Sequence, residues 1–230
     1  MNSMLSVDGP LMRAMSDLLT LLKLNFLTLL CCLPIFTAGA AITAMHYCIM
    51  KMLDRKDGKI ASMYFTQFRA NLKSMTPVWL ILLFSALVLY IDYYVFGRSA
   101  SRFLVVPAYA IALLLSAISV WIFPLGARFE NSLSAKFKNA AIMSVGAFPR
   151  TLGMMAVTGV SAFVFSQSLR LLPIAACFGL SLPAYLSAFL YYPVIKKQIR
   201  AMTGESEERE GTEEAEDQDL SEDMGDGGAL

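Results

Sequence analysis

Long apolar stretches separated by short polar or basic segments occupy most of the chain up to about residue 200. A hydrocarbon core about 30 Å thick is crossed by roughly 17–25 apolar residues of helix, so these stretches are typical of membrane helices. The stretch 18–53 is too long for one helix and suits two, with Pro34, Thr37 and Gly39 supplying a break between them. The pattern predicts an all-α transmembrane bundle of six spans, at about residues 18–36, 38–53, 77–96, 103–125, 150–168 and 171–195.

Two segments between the spans, Ala61–Met75 and Asn131–Phe148, carry apolar residues at helical spacing with basic residues such as Lys136 and Lys138 beside them. Two interpretations stay open. Each segment can be an amphipathic helix on the cytoplasmic membrane face, apolar side down and basic side toward anionic headgroups. Alternatively, each simply extends the following span into the cytosol.

The composition excludes an ordinary soluble enzyme. Of the residues, 57% are hydrophobic and 16% are charged, with a mean hydropathy of +0.57, against about 45–50% and about 25% in soluble domains. All but one of the 19 Lys and Arg residues precede residue 204, whereas 12 of the 18 acids follow it. We therefore predict a basic transmembrane domain at 1–203 and an acidic, Gly-rich tail at 204–230, too poor in apolar side chains to fold.

The distribution of basic residues predicts the orientation. With the N-terminus in the cytoplasm, 16 Lys and Arg residues fall in inner segments and three, Arg98, Arg102 and Arg170, fall in outer turns. This asymmetry requires an even number of spans and places both termini inside. The sequence Ala38-Gly39-Ala40 has the small-x-small form of a signal-peptide cleavage site, but the apolar run continues to Leu53, so we expect no cleavage.

Motifs for common chemistry are missing from the sequence. The four cysteines lie in apolar runs without C-x-x-C spacing, and no phosphate loop, G-x-S-x-G or H-E-x-x-H is found. We expect no catalytic, cofactor-binding or metal-binding residues, no enzymatic activity and no nucleic-acid partner.

Ionisable residues inside membrane spans are costly and are therefore candidates for function. Asp92 lies near the outer end of span three among tyrosines. It is either an interface anchor paired with Arg98 or Arg102, or a group that binds a cation or substrate in an outward vestibule.

The other polar candidates have simpler expected roles. Lys23 can extend its ammonium to the cytosol, and His46 is expected to be a neutral, hydrogen-bonded core residue. Glu130 follows Arg128 at the inner end of span four, where we expect a headgroup-level ion pair. On span four, Ala108, Ala112 and Ser116 form a stripe of small residues that would let another helix approach closely.

Several motifs together resemble a known family. They are L-P-I-F-T-A-G-A-A-I-T-A, F-T-Q-F-R-A-N-L-K, L-Y-I-D and F-P-L-G-A-R-F-E-N-S-L, and they are similar to those of the YesL-like membrane proteins of Gram-positive bacteria, a family of unknown function. The recurrent motif positions are Asn25, Pro34, Gly39, Asn71, Asp92, Pro124 and Glu130. Turns and helix contacts would explain most of them.

The resemblance implies a bacterial plasma-membrane protein, often encoded beside sugar ABC transporters and sensors of carbohydrate uptake. We therefore expect an accessory or regulatory component of carbohydrate ABC transport, with the lipid bilayer and a sugar permease or membrane sensor as partners. The alternative is a small stand-alone transporter or channel. The sequence leaves the oligomeric state open.

Reporter fusions test the predicted topology. Fusions at Lys59, Ser134 and Thr203 should report the cytoplasm, and fusions at Ser99 and near Arg170 should report the outside, because the basic segments remain on the inner face. A cytoplasmic signal at Ser99 would contradict six spans.

Overall fold

The computed structural model describes residues 10–54, 59–96, 102–167, 173 and 177–201. The long helices in these ranges are α1 (Pro10–Cys32), α2 (Ala38–Leu53), α3 (Ile60–Phe96), α4 (Arg102–Gly126), α5 (Leu133–Gly146), α6 (Phe148–Gln167) and α7 (181–201). A 3-10 turn, Ile35–Thr37, joins α1 to α2. The described ranges contain no strand, which confirms the all-helical expectation.

Within the described ranges, four helices are long and apolar enough to cross a membrane. The stretches are Met15–Cys32, Ile60–Asp92, Val106–Gly126 and Phe148–Gln167. Many of their large apolar side chains point outward, with Phe26 at 68% and Phe84 at 66% exposure. Water-soluble monomers rarely expose contiguous apolar surface of this extent, so these helices indicate a membrane protein.

Helix α2 has 16 residues, which is short for a span, and most of its side chains are buried. It contacts α1, α3 and α4. Small residues such as Ala40, Ala41 and Ala44 are fully buried, so neighbouring backbones can lie close to it. The predicted second span is therefore a helix surrounded mainly by protein.

The turn between α1 and α2 is held by side-chain hydrogen bonds. Pro34 precedes the 3-10 turn, and the Thr37 hydroxyl lies 2.7 Å from the Cys31 carbonyl and 2.8 Å from the Pro34 carbonyl. The Trp79 indole N–H of α3 donates to the Ile35 carbonyl at 2.7 Å. Hydrogen bonds therefore close the turn and also connect it to α3.

Helix α3 is continuous over 37 residues, with Pro77 inside it. At 1.5 Å per residue it is about 55 Å long, well beyond the roughly 30 Å of a hydrocarbon core. The segment Ala61–Met75 is therefore the first part of the helix that contains span three, as the extension interpretation predicts. The Tyr64 hydroxyl donates to the Ala41 carbonyl at 3.3 Å and ties this part to α2.

The second segment differs, because α5 is a separate helix. The Ser132 hydroxyl caps its start by accepting from the Ala135 N–H at 3.4 Å, and Ala147 interrupts the helical backbone before α6. The buried face of α5 carries Lys136, whereas Val145 of the apolar stripe is 72% exposed. The first of the two interpretations turned the basic side of this segment outward to the membrane face, whereas the Lys136 side chain is turned inward toward α3.

The chain divides into two compact units, Met1–Tyr191 and Tyr192–Leu230. In the second, the described residues are helical to residue 201, with the Lys196 ammonium 5.7 Å from the centre of the Tyr192 ring. The predicted tail at 204–230, the turn residues Arg98 and Arg170 and most of the start of span six lie outside the described residues.

A substitution at Gly39 should disrupt the packing of α2 on α3. A Cβ atom there would lie 2.5 Å from the Trp79 Cβ and 3.0 Å from the Met75 carbonyl oxygen. We expect Gly39→Ala to lower the free energy of unfolding by about 1–3 kcal/mol, measured by chemical denaturation in detergent. The control is Gly159→Ala, whose Cβ would meet nothing within 4 Å; equal loss in both variants would contradict this packing argument.

Candidate functional site

A polar cavity of about 350 Å³ lies where α2, α3, α5 and the end of α4 meet. Most of its lining side chains are polar or charged, unlike those of the helix surfaces around it. They are Tyr47, Gln67, Asn71, Ser74, Arg128, Glu130, Asn131 and Lys136. Two of the sequence candidates, Asn71 and Glu130, therefore line one cavity although they are far apart in the chain.

Close packing of α3 on α4 brings these residues together. The Met75 Sδ atom would lie 2.7 Å from a Cβ on Gly126, so a larger residue there would displace the end of the Met75 side chain between α3 and α4. The chain leaves α4 beside α3, and the Ser132 cap then starts α5. Because α5 follows after a short connection, Lys136 returns to the same cavity.

The Arg128 guanidinium has partners for only some of its N–H groups. Its Nη2 atom lies 3.4 Å from the Asp54 Oδ2 atom, and its Cζ atom lies 5.7 Å from the centre of the Tyr47 ring, within cation–π range. Its Nε atom is buried and has no hydrogen-bond partner in the described part of the chain. The expected ion pair of Glu130 with Arg128 is wrong, since Asp54 occupies that role.

Lys136 is 5% exposed, and its ammonium donates to the Ser74 carbonyl at 3.3 Å. Burial lowers the pKa of Lys136, because removal from water penalises the charged form, and the Glu130 carboxylate partly opposes this shift. Beside it, the buried Asn71 amide donates to the Gln67 carbonyl at 2.9 Å. The cavity is thus a hydrogen-bonding site with charged groups at its walls.

A larger groove, about 750 Å³, lies between α3 and α4 and is almost entirely apolar. The small-residue stripe of Ala108, Ala112 and Ser116 forms part of its wall. The Ser116 hydroxyl donates to the Leu113 carbonyl of its own helix at 2.7 Å, so it presents no unmet hydrogen bond to the groove. Asp92, half-buried, lies at the end of the groove toward the last turn of α3.

A third cavity, about 350 Å³, lies among α2, α4, α6 and the start of α7 and includes His46. The His46 Nδ1 atom is 3.0 Å from the Tyr191 hydroxyl oxygen. The hydroxyls of Thr158 and Ser161, which also line this cavity, donate to carbonyls of their own helix. His46 is therefore a buried residue with a side-chain partner on another helix.

Packed apolar side chains separate the groove from the polar cavity. Trp79 and Phe123, with ring centroids 6.2 Å apart, close one end of the groove. Met75 and Val78 are fully buried beside them, and Met75 fills the space against Gly126 at the edge of the polar cavity. None of these packed side chains is charged.

Three other candidates, Lys23, Pro124 and Asn25, line neither the groove nor the polar cavity. Lys23 is exposed on α1 and Pro124 is buried within the last turn of α4. Asn25 is fully buried, and its Oδ1 atom accepts from the N–H groups of Leu180 and Ser181 at 2.9 and 3.0 Å. It therefore caps α7 from a distant helix, supplying an acceptor for N–H groups that a helix start leaves unpaired.

Sequence reasoning missed the convergence of Tyr47, Gln67, Arg128 and Lys136 on one cavity. The available signal was the density of polar residues in the F-R-A-N-L-K and G-A-R-F-E-N motifs, each beside an apolar span. The described residues bring no three His, Cys, Asp or Glu side chains together in a way that could hold a metal ion.

Residues 19–93 match the model of a family described as "Protein of unknown function, DUF624". This stretch runs from α1 through α2 to near the end of α3, about a third of the chain. No curated protein and no solved structure matches the chain. The finding supports similarity to a family of unknown function over the first three helices, and the motifs around Arg128 lie outside it.

Replacing Asn25 tests the cap on α7. Asn25→Leu leaves the N–H groups of Leu180 and Ser181 without their acceptor, so we expect the free energy of unfolding to fall by about 2 kcal/mol or more. Asn25→Asp keeps an acceptor oxygen at a helix start, where negative charge is favourable. Its free energy of unfolding should therefore fall less than that of Asn25→Leu. Chemical denaturation in detergent provides the measurement, and equal losses in the two variants would contradict the capping role.

Proposed function

We propose that this chain is a six-span protein of the bacterial plasma membrane, with both termini in the cytoplasm, that serves as an accessory or regulatory component of carbohydrate ABC transport. In this arrangement α2 and the region ending in α7 are the second and sixth spans. The transport association rests on the motif resemblance, and the orientation rests on the 16-to-3 distribution of basic residues. The protein acts without enzymatic chemistry of its own.

The observation that carries this proposal is the apolar layer between the groove and the polar cavity. A solute on its own path through the membrane needs polar groups along that path or a large opening of packed helices. Here the Trp79 and Phe123 rings pack together on the groove wall, and the fully buried Met75 side chain lies against Gly126 of the polar cavity. This arrangement favours a protein that contacts other membrane subunits over a stand-alone transporter.

The groove between α3 and α4 provides the contact surface. Its wall contains Ala108, Ala112 and Ser116, whose small side chains leave room for another helix to approach closely. The hydroxyls of its two serines donate to carbonyls of α4. Association of helices in lipid depends on such close van der Waals packing. We assign the groove to a transmembrane helix of the permease or membrane sensor.

The stand-alone transporter or channel is the alternative, and one observation favours it. Asp92 lies at the end of the groove, where a carboxylate could attract a cation. Purified protein in liposomes would then move a solute without any other subunit.

Cross-linking in native membranes, with the neighbouring transporter genes expressed, tests the accessory role. A photoreactive residue on the groove wall should capture a permease or sensor peptide. Filling the groove with Ala112→Leu and Ser116→Leu should reduce capture by about tenfold, because larger side chains prevent close approach; tenfold corresponds to roughly 1.4 kcal/mol.

Ala110→Leu is the matched control, since Ala110 lies on the same helix, is exposed and does not line the groove. Capture should survive this change. Recovery of no permease or sensor peptide, together with solute flux through the pure protein, would replace the accessory role with the transporter role.

A further inference from the structure

Two cationic side chains of the polar cavity have hydrogen-bond donors that the described residues leave without an acceptor. The Lys136 ammonium has three N–H groups, and the described residues give it one acceptor, the Ser74 carbonyl at 3.3 Å. The Arg128 Nε–H is buried and has no acceptor in the same described ranges. Leaving such charged donors unsatisfied is costly, so the cavity favours an occupant with acceptor oxygens.

The charged side chains of the cavity differ in how deeply they are buried. Lys136 is nearly fully buried, and Arg128 is mostly buried with one edge held by Asp54. The cavity's own acid, Glu130, is exposed, so solvent screens its repulsion of an anion more strongly than it screens the two cations. Asp54, itself mostly buried, offsets the charge of Arg128, so the deep charge that no acid pairs within the described ranges is that of Lys136.

Neutral polar groups complete the lining. The amides of Gln67, Asn71 and Asn131 can donate to an oxyanion or bond to hydroxyl groups attached to it. The volume, about 350 Å³, is many times the roughly 30 Å³ that one water occupies in the liquid. The space suits a phosphate group with a small polar substituent.

We propose that this cavity binds a phosphate oxyanion, with the Lys136 ammonium and the free Nε edge of Arg128 as its principal ligands. Arginine and lysine are the usual partners of phosphate, and their hydrogen bonds to anionic oxygens are stronger than neutral ones. The phosphate comes either from the headgroup of an anionic lipid or from a soluble phosphorylated compound. Binding concerns the chain alone and does not depend on the accessory role.

The test uses the full chain purified in a neutral detergent, with two anionic probes and one neutral control. The probes are inorganic phosphate and dioctanoyl phosphatidylglycerol, and the control is dioctanoylglycerol, which has the same acyl chains and no phosphate. Equilibrium binding and the shift of the thermal unfolding midpoint are measured for each. We expect saturable binding and stabilisation with at least one anionic probe and no such response to dioctanoylglycerol.

Matched variants locate the binding. Lys136→Gln should weaken binding at least about tenfold, as loss of a charge-assisted hydrogen bond does. Lys138→Gln removes the same charge two residues away on an exposed side chain of α5 and should leave binding unchanged. Arg128→Lys keeps the charge but removes the Nε–H, and should also weaken binding, whereas Lys136→Arg should retain it.

The outcomes separate the two sources and can overturn the proposal. Binding of phosphatidylglycerol without inorganic phosphate indicates a lipid headgroup, and the reverse indicates a soluble compound. Equal weakening by Lys136→Gln and Lys138→Gln, or no saturable binding of either anion, overturns the site.

If Lys136→Gln does not fold, anion binding by Arg128→Lys and Lys136→Arg tests the site instead. Unchanged binding in Arg128→Lys rejects Arg128 as a ligand. A failed cross-link leaves this inference unaffected, and failed anion binding leaves the partnership unaffected.

Discussion

The close approach of α2 to α3 at Gly39 is the contact on which the other helices depend. Apolar side chains gain little by leaving lipid for a protein interior, so helices in a membrane are held by tight packing and by hydrogen bonds. At Gly39 the two backbones approach until no room remains for a methyl group. With α2 placed in this way, α1, α3 and α4 all pack against one short helix of small residues.

Buried polar side chains then join helices that the packing brings near each other. Asn25 accepts from the start of α7, and the Trp121 indole N–H of α4 donates to the Thr151 hydroxyl of α6 at 2.8 Å. The same hydroxyl lies 2.9 Å from the Ser144 carbonyl of α5. Because no water satisfies such groups inside a bilayer, each of these bonds restricts the helices it connects to one arrangement.

The same arrangement explains why polar and apolar spaces are segregated. Gly126 allows α4 to end against Met75, and the connection that follows carries Arg128 and Glu130 beside α3. Farther along α3, aromatic packing of Trp79 on Phe123 closes the apolar groove. The described residues therefore keep an apolar groove apart from a polar, charged cavity, and along α3 the apolar Met75 and Val78 lie between the residues that line the two.

The sequence by itself determined the all-helical class, the positions of the long apolar helices and the excess of basic residues in alternate segments, because apolar length and charge are local properties. It did not determine which side of each helix is buried. In lipid an apolar side can face outward, so the stripe of α5 containing Val145 did not reveal that Lys136 is turned inward. Nor did the spacing of Ala108, Ala112 and Ser116 show that they line a groove. Only the tertiary packing decided these points, since the burial of a side chain depends on the neighbouring helix and not on its own periodicity.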